Sequence, residues 1–341
     1  MINQLLRVFV GIFFFLNFAA TEAFCARNIE KSFPLGPGGS LVMSVEGSSV
    51  TVDGSSRSNV HVRVESKKDI EEHYDLTFEQ EGNSLIIDAK RKKKTRFFGL
   101  FKTFRGSSLK FTIAVPENFN PQIRTSGGSI RTSTISGTVD LRTSGGSLTC
   151  KQIAGTVSGH TSGGSITCEG ITGDLSVGTS GGSVKLDQVE GPFQARTSGG
   201  SITAKELAGD GSLKTSGGNI KVEGCRGSLD ARTSGGSINI NRLDGCATAH
   251  TSGGGITMEM VNSPSGDCEL RTSGGGITFS LPRESNAMIS AKATGGKVNT
   301  EIPLEVLGTA GRSSLEGKLG NGGPLVSLKT SGGSIRIKST D

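Results

Sequence analysis

The sequence predicts an all-β protein: a β-solenoid, or β-helix, of 18-residue coils behind an N-terminal β cap. Three observations predict it. The motif Thr-Ser-Gly-Gly, followed by Ser, Asn or Gly, starts at Thr125, Thr143, Thr161, Thr179, Thr197, Thr215, Thr233 and Thr251, at a spacing of 18 every time. Within that period apolar residues fall two apart, which is strand spacing, and helical spacing is hard to find anywhere. Gly supplies 52 of the 341 residues without the Gly-X-Y period of collagen, and Trp is absent. A fixed period of this length marks a stacked architecture.

The first segment reads as a secretory signal. Arg7 closes a short positive region, and Val8 to Phe18 (VFVGIFFFLNF) is an apolar run too short to span a bilayer comfortably. Small residues at Thr21 and Ala23 offer cleavage near Ala23, so residues 1–23 are expected to direct export. An uncleaved membrane anchor is the other reading. A lipoprotein reading through Cys25 fits less well, because Phe24 stands where a small residue is wanted.

Residues 24–118 lack the repeat but alternate like strands, as in LVMSVEG, SVTVDG, NVHVRVES, NSLIIDAK and LKFTIAVP. They are expected to form a β cap or a degenerate start of the solenoid. A cap is physically required, because an open terminal coil exposes strand edges. One insert, 90–105, interrupts this third. It carries Lys90, Arg91, Lys92, Lys93, Lys94, Arg96, Lys102 and Arg105 with no acid, interleaved with Phe97, Phe98, Phe101 and Phe104. Subtracting those eight charges from the net +6 leaves the rest of the chain at −2, so the basicity is local. A basic-aromatic loop suits an anionic membrane surface or lipopolysaccharide. A solvated hairpin tip whose Phe residues pack on the cap is the plainer reading. Nucleic acid is not expected for an exported protein.

Residues 119–341 are expected to be the solenoid proper. Counting the Thr as column one, the sixth column reads Ile130, Leu148, Ile166, Val184, Ile202, Ile220, Ile238 and Ile256. The eighth, eleventh, fifteenth and seventeenth columns are also mainly apolar. Gly stands at the fourth column and again at the thirteenth, each two residues before a strand, so one unit is a coil with two short strands. Gly at the corners is expected to supply positive φ. No single coil buries enough apolar surface to fold alone; stacking adds ladder hydrogen bonds and buries each strip against the next. Further copies start at Thr272 and Thr330, and a degenerate ATGGK places Thr294 in the same slot, with gaps of 21, 22 and 36. These gaps read as small insertions and one blurred double unit.

The motifs argue against several chemistries. Thr-Ser-Gly-Gly lacks the spacing of a phosphate loop, no helix follows it, and so many copies in register suit turns rather than a nucleotide site. The stacked hydroxyls are expected to satisfy turn amides; a hydroxyl array binding glycans or ice is the alternative. Acids scatter across columns instead of pairing, as in Asp140, Asp174, Asp187 and Asp244, which leaves a polysaccharide-acting enzyme little to work with. The regular Asp of a calcium roll is missing, and His61, His73, His160 and His250 show no ligand spacing. No cofactor is expected. Cys150 and Cys168 share the eighth column on adjacent coils and are either a disulfide or core thiols; Cys225, Cys246 and Cys268 could supply one more pair.

One column does suggest binding. The residue before each Thr is mostly basic: Arg124, Arg142, His160, Arg196, Lys214, Arg232, His250 and Arg271, broken by Gly178. Stacked, these form a basic stripe able to engage an acidic polysaccharide, or a solvated edge offset by nearby acids such as Asp140, Asp230 and Glu269.

The repeat, the preceding SLVMSVEGSSVTVDG, VHVRVESKK and LTFEQEGNSLIIDAKRK, and the closing GKLGNGGPLVSLKTSGGSIRI (Gly317–Ile337) together resemble the bacterial DUF4097 family over about residues 30–341. The resemblance implies a β-solenoid and an adhesin role, with no catalytic residues to carry over. The chain departs from the family in having Gly-Gly-Ser where Asn-Gly-Asp is frequent, and in its unusually basic insert. The expected function is an exported, non-catalytic, adhesin-like surface or envelope protein binding polysaccharide or another envelope polymer. A membrane-docked envelope-stress or scaffold protein using the basic insert is the alternative.

Overall fold

The computed structural model describes residues 27–92, 108–307 and 311–340. The proposed signal (1–23) and most of the basic-aromatic insert, from Lys93 to Arg105, lie outside the described residues. Within them the protein is a β-solenoid with one four-residue helix, Ile70–His73, capped by the Asp69 carboxylate.

Each coil pairs in parallel with the coil 18 residues on. Along one face Ile130 lies opposite Leu148, and Ile166, Val184, Ile202, Ile220, Ile238 and Ile256 follow rung by rung. Along the second face Val139, Val157, Leu175 and Phe193 stack in the same way. Alternation within each strand turns these side chains inward, and the two faces close on one continuous buried core.

Two corners join the faces, and the structure revises how they are made. The thirteenth-column glycines are left-handed, as at Gly155 (φ 139°) and Gly173 (φ 126°). The fourth-column glycines, Gly128 to Gly254, are not. Their requirement is space: a Cβ built on Gly146 would land on the carbonyl of Gly128, and one built on Gly200 on that of Gly182. A further left-handed column, not marked by a regular Gly, is the tenth, where Thr134, Gln152, Gln188, Glu206 and Arg242 hold φ between 45° and 58° alongside Gly170 and Gly224. Nothing in the sequence marked that column, because polar residues hold most of it.

Chain order and stacking order part company at both ends. The first coil, Gly39–Val45 with Ser49–Ser55, lies directly against the Phe119–Thr125 and Ile130–Thr143 strands. The later strands Ser84–Arg91 and Lys110–Pro116 stack outside it. Antiparallel strands Asn28–Phe33, Val60–Glu65 and Tyr74–Glu81 then close this end. Phe33 and Phe78 meet there, ring centroids 6.0 Å apart, with the Lys31 ammonium 4.6 Å from the Phe78 ring.

The C-terminal end mirrors the arrangement. The final strands, Leu325–Thr330 and Ile335–Ser339, slot in directly after Cys268–Thr272 and Ile277–Leu281. The earlier strands Ala287–Ala293 and Val298–Thr300 lie outside them, and Ser314–Leu319 closes one face antiparallel. So the long gap is no blurred double unit: Thr330 is the next rung after Thr272. The degenerate copy also shifts by one. Ala293 stands opposite Thr330, which places Thr294 in the Ser column.

Candidate polyanion-binding edge

The Thr-Ser-Gly-Gly corners line up as one edge of the solenoid. Each column-one Thr is buried, Thr125 through Thr272 and Thr330. Its hydroxyl donates to the carbonyl of the coil before, as from Thr161 to Gly146 (2.8 Å) and Thr197 to Gly182 (2.7 Å). The same oxygen accepts from the amide three residues on, as from Gly164 (3.3 Å) and Gly200 (3.2 Å). These hydroxyls therefore bond coil to coil, which meets the expectation of satisfied turn amides and removes the Thr array as a glycan or ice surface. The Ser at column two is exposed in every coil from Ser126 to Ser273 and again at Ser331.

The basic column stands on the other side of that buried Thr row. Its rungs are in register from Arg124 through Arg142, His160, Gly178, Arg196, Lys214, Arg232, His250 and Arg271. The structure extends it by two rungs absent from the sequence reading, Lys329 and Lys292. Lys329 stands directly before the motif Thr330 and so follows the sequence rule, whereas Lys292 is hidden by the one-residue offset of the degenerate copy.

Acids offset part of the column. Asp140 lies 3.3 Å from Arg142, Asp230 lies 2.9 Å from Lys214 and 2.7 Å from Arg232, and Glu269 lies 3.6 Å from His250. Among the described residues no acid comes within 4 Å of Arg124, Arg196, Arg271, Lys329 or Lys292. The outward side chains of the other face behave differently: Lys151 pairs with Glu169 (2.7 Å), Lys185 with Asp187 (3.9 Å) and Lys205 with Glu223 (3.6 Å). That face pairs three of its lysines with acids, while this edge leaves several cations without one.

Asp230 is the main brake on that excess. Burial tends to raise its pKa, but hydrogen bonds and charge from Lys214 and Arg232 outweigh burial and hold the carboxyl below its usual range. The carboxylate is therefore ionised at neutral pH. Its contribution to stability is complete above the ordinary carboxyl pKa and is lost only as pH falls through the depressed one. Asp230→Asn is expected to release both cations and strengthen binding of an acidic polymer about threefold to tenfold at low salt, read by isothermal titration calorimetry. An unchanged affinity would place the ligand elsewhere.

The basic insert leaves from the same edge. Ala89 opposes Val45 and Phe111 opposes Val50, so the strands on either side of the insert flank this edge, while Lys93 to Arg105 lie outside the described residues. Lys90 lines a depression of about 410 Å³ with Arg124, Arg142, His160, Ser126 and Ser144. Arg91 and Lys92 turn into the cap instead: Arg91 Nε donates to the Tyr74 hydroxyl (3.3 Å), and Lys92 Nζ donates to the Glu71 carbonyl (2.7 Å) and lies 3.5 Å from Asp75.

A family model described as Toastrack DUF4097 matches residues 39–338, most of the chain. The protein belongs to the Toastrack DUF4097 family. No curated protein matches it. Among solved structures the Toastrack chain is similar to a candidate cell adhesion protein from Clostridium sporogenes, at 12% identity and a TM-score of 0.22, covering 92% of this chain and 100% of that one. It is also similar to a candidate lipid binding protein from Parabacteroides distasonis (14%, TM-score 0.38, 91% and 97% covered). A candidate adhesin from Bacteroides fragilis is a third (16%, 0.30, 92% and 97%). Scores this low carry no functional weight.

The opposite edge of the Toastrack solenoid holds a depression of about 540 Å³ beside the left-handed column. Its Glu206 is tied to Arg242 at 2.8 Å. Three thiols have their pKa pushed up. A hydrogen bond with Cys150, together with burial, raises Cys168 well above its ordinary value, and burial lifts Cys225 and Cys268 to about 11. Cys150 and Cys168 oppose each other in register and stand as thiols in the core column shared with Leu186 and Val222. No cluster of three His, Cys, Asp or Glu able to hold a metal ion occurs among the described residues, and no described helix is long and apolar enough to cross a membrane.

Proposed function

We propose that this Toastrack protein is an exported, non-catalytic, adhesin-like rod that holds an acidic polysaccharide of the cell envelope along its Thr-Ser-Gly-Gly edge. The observation that carries the reading is the row of unpaired cations, Arg124, Arg196 and Arg271, in register beside a ladder of exposed Ser hydroxyls. Rungs about 4.8 Å apart present a Ser hydroxyl at every coil and one of these three cations at every fourth, about 19 Å apart, which suits a linear polymer better than a compact ligand. Export rests on the apolar run at 8–18.

The test is binding of a polyuronate to the whole protein across a salt series. The reading expects affinity that falls as salt rises. It also expects the triple variant Arg124→Ser, Arg196→Ser, Arg271→Ser to bind about tenfold to a hundredfold more weakly, from three contacts of roughly 0.5–1 kcal/mol each. No binding at low salt, or a triple variant that binds like the parent, would overturn it.

A second reading, docking on anionic membrane, is favoured by Lys90 opening the insert onto this edge. It predicts binding to anionic vesicles that disappears when Lys90–Lys94 become Ser and survives the triple variant.

A further inference from the structure

The intercalated last coil brings together three cations that are far apart in the sequence. Lys329 stands directly opposite Arg271, and Lys292 directly opposite Lys329. Three cations thus occupy three successive rungs, about 4.8 Å apart, and all three are exposed. They line a depression of about 350 Å³ whose remaining walls are Thr272, Thr294, Thr330 and Ser331, with no acid among them. Thr272 and Thr330 are committed to the carbonyls of Gly254 and Gly275, both at 2.7 Å. The exposed Thr294 and Ser331 remain as hydroxyls at the rim.

The nearest acids bound the cluster without neutralising it. Glu269 is turned to His250 at 3.6 Å. Glu316 lies opposite Ser290, on the strand beyond Lys292, and comes within 4 Å of none of the three. Earlier in the stripe Asp230 sits between Lys214 and Arg232; here the equivalent position beside Arg271 is that same Glu269, and beside Lys329 and Lys292 it is Ser327 and Ser290. Unscreened like charges one rung apart repel by about 1 kcal/mol even at the dielectric of water. A single carboxylate can offset one of the three. A multivalent phosphate spans them and accepts from Arg271 and both ammonium groups while the rim hydroxyls donate.

We propose that Arg271, Lys329 and Lys292 form an anchoring site for a multivalent phosphate group, of the kind a phosphorylated polysaccharide carries, at the C-terminal end of the binding edge. The placement along a polymer rests on the polysaccharide reading above; the phosphate site itself does not. The edge is then polar: a polymer held rung by rung along the stripe is fixed in position where its phosphate meets the triad.

Calorimetry on the whole protein tests it with three probes: pyrophosphate, a phosphorylated polysaccharide, and a phosphate-free polyuronate. Pyrophosphate is expected to bind at one site and to lose at least tenfold in affinity in Lys292→Ser, Lys329→Ser. That variant also removes two rungs of the stripe, so polyuronate is expected to weaken with it, while Arg124→Ser, Arg196→Ser weakens polyuronate and leaves pyrophosphate affinity within about threefold of the parent. The phosphorylated polymer should lose affinity in both. Pyrophosphate that fails to bind, or binds the double variant as well as the parent, overturns the site. Polyuronate that fails to bind while pyrophosphate binding still needs the triad overturns the polysaccharide reading and leaves the site standing. Both lysines are exposed, so a thermal melt is expected to match the parent; if it does not, Lys292→Ser alone, on the outer strand, supplies the comparison.

Discussion

Gly200→Ala is expected to destabilise the protein by about 3 kcal/mol or more, while Gly199→Ala, one residue earlier, changes stability by less than about 0.5 kcal/mol. Gly200 lies where the corner of its coil rests on the corner before, and an added Cβ would meet the backbone carbonyl and carbonyl carbon of Gly182. A backbone held by ladder bonds on both sides cannot retreat as a flexible side chain could. At Gly199 the nearest atom to an added Cβ is the Gly181 carbonyl oxygen at 3.5 Å, ordinary contact, and neither residue has positive φ. The effect at Gly200 should appear as a fall in melting temperature of roughly 6–12 °C by calorimetry. Equal effects at the two positions would mean that the corner is not the point of close stacking.

Removing residues 325–341 is expected to do more than shorten the rod. In a simple solenoid the last repeat can be trimmed at the cost of one interface. Here the last strands lie between Cys268–Leu281 on one side and Ala287–Thr300 on the other, so their loss unpairs both. Hydrogen exchange should show residues 287–319 unprotected in the truncated protein while the coils from 130 to 251 keep their protection. Persistent protection of 287–300 would mean that this coil can close directly on the one before, and that intercalation is not what holds the end together.

The repeat was legible because every coil repeats the same two inward strips, and the Thr, Ser and Gly of the corner recur with them. The tenth-column turn was not, because Gln188, Glu206 and Arg242 carry no sign that they will be left-handed. The fourth-column Gly was seen, but its reason was mistaken: a sequence shows Gly where the chain must turn and Gly where two chains must touch in the same way. Intercalation leaves no periodic trace, since the pairing of Arg271 with Lys329 joins residues far apart in sequence. The column runs in register two rungs beyond Arg271: Lys329 is legible before Thr330, whereas Lys292 is hidden by the one-residue offset of the degenerate copy. Whether its cations were free or offset also had to wait for geometry, because Asp230 serves Lys214 and Arg232 at once while Arg196 has no such neighbour.

The account's central claim is that the Thr-Ser-Gly-Gly edge is the binding surface. Lysine acetylation with and without bound acidic polymer, read by mass spectrometry, tests it most directly, because lysines on both faces report in one experiment. Lys90, Lys214, Lys292 and Lys329 lie on the edge; Lys151, Lys185, Lys205 and Lys221 lie on the other face. The account predicts that polymer protects the first four and leaves the second four as reactive as before. Uniform protection, or protection confined to the second group, would contradict it.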